Sequence, residues 1–356
     1  MGVAIVTGAG GLVGSEAVDF LVEQGLDVVG IDNDMRARFF GAEASTRWRV
    51  EELCRHPRFR HEGADIRDFN TVDRIISDVA GDLKLVVHAA AQPSHDWAAR
   101  DPFTDFGVNA QGTLNLLEAV RRHAAGAAFV FLSTNKVYGD TPNRLPLVEL
   151  ETRWELDRAH PFFQRGIDET MSVDQSTHSL FGASKLAADV LVQEYGRSFG
   201  MNTACFRGGC LTGGNHAGTA LHGFLAYLMK CTVQRRGYTI HGHAGKQVRD
   251  NIHARDLVSA IWCYARAPRP ARVYNIGGGR FANCSMLEAI DLCQEIAGSR
   301  LEWTYDPRPR HGDHIWWVSD STAFSIDYPD FKLTRDIQAI LEDIHDKGRT
   351  RWLADA

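Results

Sequence analysis

No stretch of the chain approaches 18 uninterrupted apolar residues, so no membrane-spanning helix is expected. Cysteine is sparse, at seven in 356 residues. The seven (54, 205, 210, 231, 263, 284, 293) form no Cys-x-x-Cys pair and no Cys/His ligand spacing. The expectation is therefore free thiols in a reducing cytosol, and no metal site. No charge sign dominates: 45 acids against 39 bases give a net charge of −6. That balance argues against nonspecific nucleic-acid binding but leaves room for a local basic pocket. The opening MGVAIVTGAGG has no basic region and reads straight into a strand, unlike a signal peptide, and Val6 stands where a myristoylation signal carries Ser or Thr. What is present is a globular composition, 44% hydrophobic, which excludes disorder. At about 150 residues per domain, the length suggests roughly two domains.

Apolar runs alternate with helical patterns along the first two-thirds of the chain. VAIVT (3–7) reads as a buried strand, 11–24 as a helix and DVVGI (27–31) as a second strand. The alternation continues with FRHEGADI as a strand, 68–80 as a helix, 83–90 as a strand and 103–124 as a long helix. Strand 127–133, helix 182–199 and strand 202–208 complete it. Such alternation predicts an α/β fold with a doubly wound parallel sheet. Two regions break it. Residues 139–180 are polar and carry prolines, and after about 208 the pattern becomes irregular and Gly-rich. The expected division is 1–207 plus 253–278 as a nucleotide-binding domain and 208–252 plus 279–356 as a smaller α/β substrate domain.

Thr7-Gly8-Ala9-Gly10-Gly11-Leu12-Val13-Gly14 joins the first strand to the first helix. Glycines 8, 11 and 14 let the backbone turn tightly and approach a pyrophosphate placed on the helix N-terminus, beside Leu12 and Val13. Asp32 ends the second strand about 20 residues on, where a carboxylate accepts from a ribose diol and repels a 2′-phosphate. NAD is therefore expected rather than NADP, with Asn33 and Arg36 close by. Asp65 and Ile66 are placed to flank the adenine, and Ala89, Ala90 and Ala91 are small enough for a cofactor to cross the strand ends. Close helix packing is the alternative for the alanines.

The G-x-x-G-x-x-G spacing, HAAA at 88–91, Asn109 and the Lys185 segment resemble the extended short-chain dehydrogenase/reductase family, with its Rossmann domain. The strings STNKVYGD (133–140) and GKQVRD (245–250) are most similar to its nucleotide-sugar epimerases that act at C2 of CDP-linked hexoses. The related dehydratases carry Asp-Glu after the catalytic Thr; here the pair is Asn135-Lys136. The resemblance implies that Thr134 hydrogen-bonds the reacting sugar oxygen and that Lys185 holds the nicotinamide ribose. It further implies that Asn109 lines the cofactor site. Gln92 and Lys136, with Ser94, His95 and Trp97 nearby, would face the sugar, and Arg249 and Arg310 would bind the substrate diphosphate. A homodimer built on the helices near 103–124 and 182–199 is implied as well.

One residue departs from the family pattern. The catalytic tyrosine belongs four positions before Lys185, and Phe181 stands there. Phenylalanine cannot exchange a proton, so three readings stay open. Another group takes the proton: His178, Lys136, Tyr138, or Lys185 with Thr134 as relay. Alternatively, the protein binds NAD and a nucleotide sugar but does other chemistry, or it is a silent binding protein.

Overall fold

The computed structural model describes residues 2–220 and 222–354, and the chain divides into two compact units. The first comprises Met1–Val137, Leu180–Arg207 and Leu257–Tyr274; the second comprises Tyr138–Ser179, Gly208–Asp256 and Asn275–Ala356. Residues 138–179 thus group with the second unit, where the sequence reading had left them in the first.

β1 (Val3–Thr7) is apolar and buried, and the glycine turn after it opens α1 (Leu12–Glu23). β2 (Asp27–Ile31) pairs with β1 in parallel, Val3 opposite Asp27 and Thr7 opposite Ile31. Two helices lie where no element was expected, α2 (Met35–Phe40) and α3 (Arg47–Leu53). Each spans under two turns, too short for an apolar period to register. β3 (Phe59–Glu62), α4 (Phe69–Val79) and β4 (Leu83–His88) follow the expected pattern; α4 buries Val72, Ile75 and Ile76 on one face.

The single helix expected over 103–124 is broken. α5 (His95–Arg100) precedes α6 (Pro102–Phe106), a π-helical turn covers Gly107–Gln111, and α7 (Gly112–His123) completes the run. π turns inside helices recur at functional sites, and this one carries Asn109. β5 (Ala128–Thr134) then delivers Thr134 to its C-terminal end.

The chain now enters the second unit with an antiparallel ribbon of β6 (Leu147–Glu149) and β7 (Trp154–Leu156). It returns through α8 (Leu180–Phe199) and β8 (Asn202–Gly208), then leaves by β9 (Cys210–Thr212), α9 (Phe224–Gln234), β10 (Tyr238–His241) and β11 (Val248–His253). α10 (Ala254–Arg266) and β12 (Arg272–Ile276) cross back. β13 (Asn283–Ser285), α11 (Met286–Ala297), β14 (Trp303–Asp306), β15 (Trp316–Trp317), α12 (Thr322–Asp327) and α13 (Ile337–Ala354) finish the second unit.

The seven-stranded sheet runs β12-β8-β5-β4-β1-β2-β3, with β1 parallel to β2 and β4, β2 parallel to β3 and β4 parallel to β5. Strand order reverses at β1, and an open sheet of this kind places its ligand crevice beyond the carboxyl ends of the strands at that reversal. Its core joins Ile5, Val86, Leu116, Leu117, Phe129 and Val192. In the second unit β11 pairs antiparallel with β13 and parallel with β9 and β15. α9, α11 and α13 pack around Leu228, Met229, Ile290, Ile340 and Leu341. No helix among the described residues is long and apolar enough to cross a membrane.

Candidate active site

The turn after β1 is shaped for close approach. Gly8 sits at φ +68°, and a Cβ there would lie 2.8 Å from the Ala90 nitrogen. A Cβ on Gly14 would fall 1.9 Å from the Gly8 carbonyl oxygen, so only glycine lets α1 start against this turn. Gly11 caps α1 with no side-chain hydrogen bond, which leaves its first turn, at Leu12 and Val13, to the backbone dipole. Asp32, at the end of β2, accepts from Gly10 N–H at 2.8 Å and from Asp34 N–H at 2.7 Å. Asn33 hydrogen-bonds the Asp65 carboxylate. Burial alone would raise that carboxylate's pKa, but the fork from Arg67, at 3.0 and 2.6 Å, holds it below the usual range. Arg36 lies over the Phe40 ring, and burial brings its pKa down to about 10. Ile66 is buried and Ala89–Ala91 are half-buried, with Ala89 N–H bonded to the Thr7 carbonyl and Ala90 N–H to its hydroxyl.

α8 carries Phe181, Lys185 and Asp189 one turn apart, hence on one face. Lys185 is buried; its Nζ donates to the Leu132 carbonyl at 2.7 Å and lies 4.0 Å from the centre of the Phe131 ring. Desolvation lowers its pKa to about 7 against the pull of Asp189. Asp189 is buried too and accepts a fork from Arg207 at 2.8 and 3.1 Å, with Ser133 adding a bond at 2.5 Å. Ser133 thereby anchors the end of β5, where the Thr134 hydroxyl accepts from Lys136 N–H at 3.2 Å. The Phe181 ring meets the His95 ring edge to face at 5.0 Å.

Two of the expected contact residues do something else. Gln92 is fully buried; its amide nitrogen donates to the Ser94 carbonyl and to Asp105, each at 2.8 Å, and its oxygen accepts from Ser94 N–H. Asn109 is equally buried; it donates to Gln92 O, Asp105 and Ser184 Oγ and accepts from Gln92 N–H. A buried amide so committed holds the loop after β4 to α6 and α8. Both side chains thus position the loop after β4 against α6 and α8. Asp105 is a further member of this network, its pKa raised chiefly by burial. A parallel chain starts at Thr7, whose hydroxyl donates to His88 Nδ1 at 2.7 Å. His88 Nε2 then donates to Thr113 at 2.9 Å, and Thr113 donates to the Asn109 carbonyl. Burial drives the His88 pKa down to about 3, so the imidazole is neutral.

In the second unit, Arg249 on β11 is buried, donates to the Val248 carbonyl at 2.7 Å and pairs with Asp313. Arg310 is exposed and lowers the pKa of His241, a shift led by desolvation. His178 Nδ1 donates to the Ser176 carbonyl at 3.1 Å. Tyr138 is fully buried, donates its hydroxyl to Asn275 at 2.8 Å and stacks on Trp317. Among the described residues no cluster of three or more His, Cys, Asp or Glu is arranged to hold a metal ion.

Residues 4–277 match the epimerase model described as the NAD dependent epimerase/dehydratase family. The chain belongs to that family. It is 33% identical to the CDP-paratose 2-epimerase of Salmonella typhi over 89% of this chain and 90% of the relative. In fold it is similar to the UDP-glucose 4-epimerase of Thermus thermophilus, solved with NAD, at TM-score 0.78 and 24% identity over 98% and 99% of the two chains. It is likewise similar to the UDP-glucuronic acid 4-epimerase of Bacillus cereus at TM-score 0.79 and 22% identity, again over 98% and 99%. The epimerases and dehydratases of this family use NAD, and the residues here fit it. The turn between Gly8 and Gly14 leaves no room for a Cβ, the first turn of α1 has no side-chain cap, and a carboxylate ends β2.

The sequence reading missed Asp105, Ser184, Asp189 and Arg207. A carboxylate one turn after Lys185 was visible as spacing, but nothing local announced its partner on β8.

Proposed function

We propose that the protein is a nucleotide-sugar epimerase that inverts a carbinol carbon of a CDP-linked hexose, C2 being the favoured position. NAD, when bound, supplies a hydride acceptor and donor, so the net redox change is zero. Thr134 hydrogen-bonds the reacting sugar oxygen from the end of β5. Lys185, buried one turn from Phe181, holds the nicotinamide ribose from α8 and favours negative charge on that oxygen. Arg249 and Arg310 take the diphosphate, since guanidinium forks match its oxygens. The observation that carries this reading is the placement of Thr134 and Lys185 about the end of β5, with Asp189 tying α8 to that strand. The resemblance to the Salmonella typhi enzyme supports CDP and C2.

The test is turnover of CDP-paratose in heavy water. Internal hydride return inverts the carbon with no deuterium incorporated there. Deuterium at the inverted carbon would instead mean deprotonation, and NADH accumulating with product would mean a dehydrogenase. Binding of NAD and CDP-paratose with no turnover would favour the silent binding protein.

A further inference from the structure

Resting on that epimerase reading, we infer that His95 exchanges the proton of the reacting sugar hydroxyl, the task left open by Phe181. Phenylalanine keeps the ring of the missing tyrosine and lacks only its hydroxyl. A side chain lying against that ring is close to the oxygen a phenol would have served. His95 is that side chain, its imidazole edge to face with Phe181 at 5.0 Å. It stands at the first position of α5, fixed by Ser94, whose hydroxyl accepts from Trp97 N–H at 3.2 Å. α5 packs against α6 and α8, so the imidazole is held by the same elements as Lys185. His95 is half-buried and can be reached by a ligand.

Other buried titratable groups near α8 take part in bonds that hold the fold. His88 is sealed between Thr7 and Thr113, and Asp105 accepts from Gln92 and Asn109 at 1% exposure. Lys185 is turned onto the Leu132 carbonyl, and Asp189 is forked by Arg207. The helices packed against α5 carry Asp105 on α6 and Lys185, Asp189, Glu194 and Arg197 on α8, and α5 itself carries Asp96 and Arg100.

The step balances. The sugar O–H breaks and its proton passes to the imidazole. The carbinol C–H breaks and its hydrogen leaves with the electron pair as hydride to the bound NAD, and C=O forms. After the keto sugar turns over, hydride returns to the other face and the imidazolium gives the proton back to oxygen. An imidazole, with a pKa near 6.5, suits this exchange at neutral pH.

The test is His95→Gln in the full chain loaded with NAD, alone and combined with Phe181→Tyr, with CDP-paratose as substrate. His95→Gln should lower kcat by about 100-fold or more, the size of a lost acid–base group. Calorimetric affinity for CDP and the melting temperature should stay at parent values. Adding Phe181→Tyr should restore at least part of kcat, and the acidic limb of the pH profile should move. A readout independent of turnover is NMR of histidine-labelled protein, in which the assigned His95 imidazole should shift its pKa on adding CDP-glucose. If the single variant unfolds, this measurement decides, and an unmoved His95 resonance overturns the inference. An active parent whose His95→Gln variant keeps its kcat overturns the His95 assignment and leaves the epimerase standing. A parent that binds CDP and NAD but turns over nothing overturns both.

Discussion

Lys185 combines two demands that conflict. Its position on α8 requires burial, and burial opposes its charge, bringing the pKa from 10.5 to about 7. A base with a depressed folded pKa carries its full burial cost below that pKa. The cost is relieved as pH rises from about 7 toward the unfolded value, where the fold has lost a proton that the unfolded chain keeps. Lys185→Met keeps much of the volume and removes the cost. We expect its melting temperature, relative to the parent, to be highest near pH 6 and to fall steadily toward pH 9, while turnover is lost. A difference that does not vary with pH would show that the ammonium carries no burial cost. Thr134, Phe181 and Lys185 were named through the family resemblance of STNKVYGD and the Lys185 segment, and the structure puts Thr134 at the end of β5 and Phe181 and Lys185 one turn apart on α8. Gln92 and Asn109 were legible only as positions. Gln92 is tied to Asp105 and Asn109 to Ser184, long-range partners that no spacing rule connects to them.

At the scale of elements, α8 is tied to the sheet by a buried ion pair. Arg207 on β8 forks onto Asp189, which also accepts from Ser133 on β5. Removing one partner leaves a charge in a dry interior, at a cost of about 3–5 kcal/mol, whereas removing both is much milder. Arg207→Met should therefore lose about that much in urea unfolding, and Arg207→Met with Asp189→Leu should lose less than the sum of the single variants. Additive losses would mean that the two groups act independently. The strands of the sheet were readable as short apolar runs, and its long helices because the 3.6 period repeats often enough within each. α2 and α3 were not, and the π turn around Asn109 was invisible because one residue inserted into a helix leaves the composition helical.

Across the whole molecule, His88 in the first unit and Asp250 in the second both respond to acid, and they respond with opposite signs. In the first, His88 has its pKa lowered to about 3 by burial. Between there and 6.5 the unfolded chain binds a proton that the fold refuses, so this group's stability is lost as pH falls. In the second, Asp250 has its pKa raised to about 6 by burial, although the N–H groups of Ser319 and Gly279 pull it down. Between 3.8 and 6 the fold binds a proton that the unfolded chain lacks, so this group's stability is gained as pH falls. The parent should therefore show a shallow acid response that hides two steep ones, and single variants should expose them. His88→Gln retains a donor and an acceptor for Thr7 and Thr113. It should gain on the parent as pH drops from 7 to 4.5. Asp250→Asn removes the charge that is costly at neutral pH, so its melting temperature should gain on the parent at pH 7 and lose that advantage by pH 4.5. If both differences hold constant across this range, neither buried group titrates between the folded and unfolded states, and the acid response must come from the exposed carboxylates.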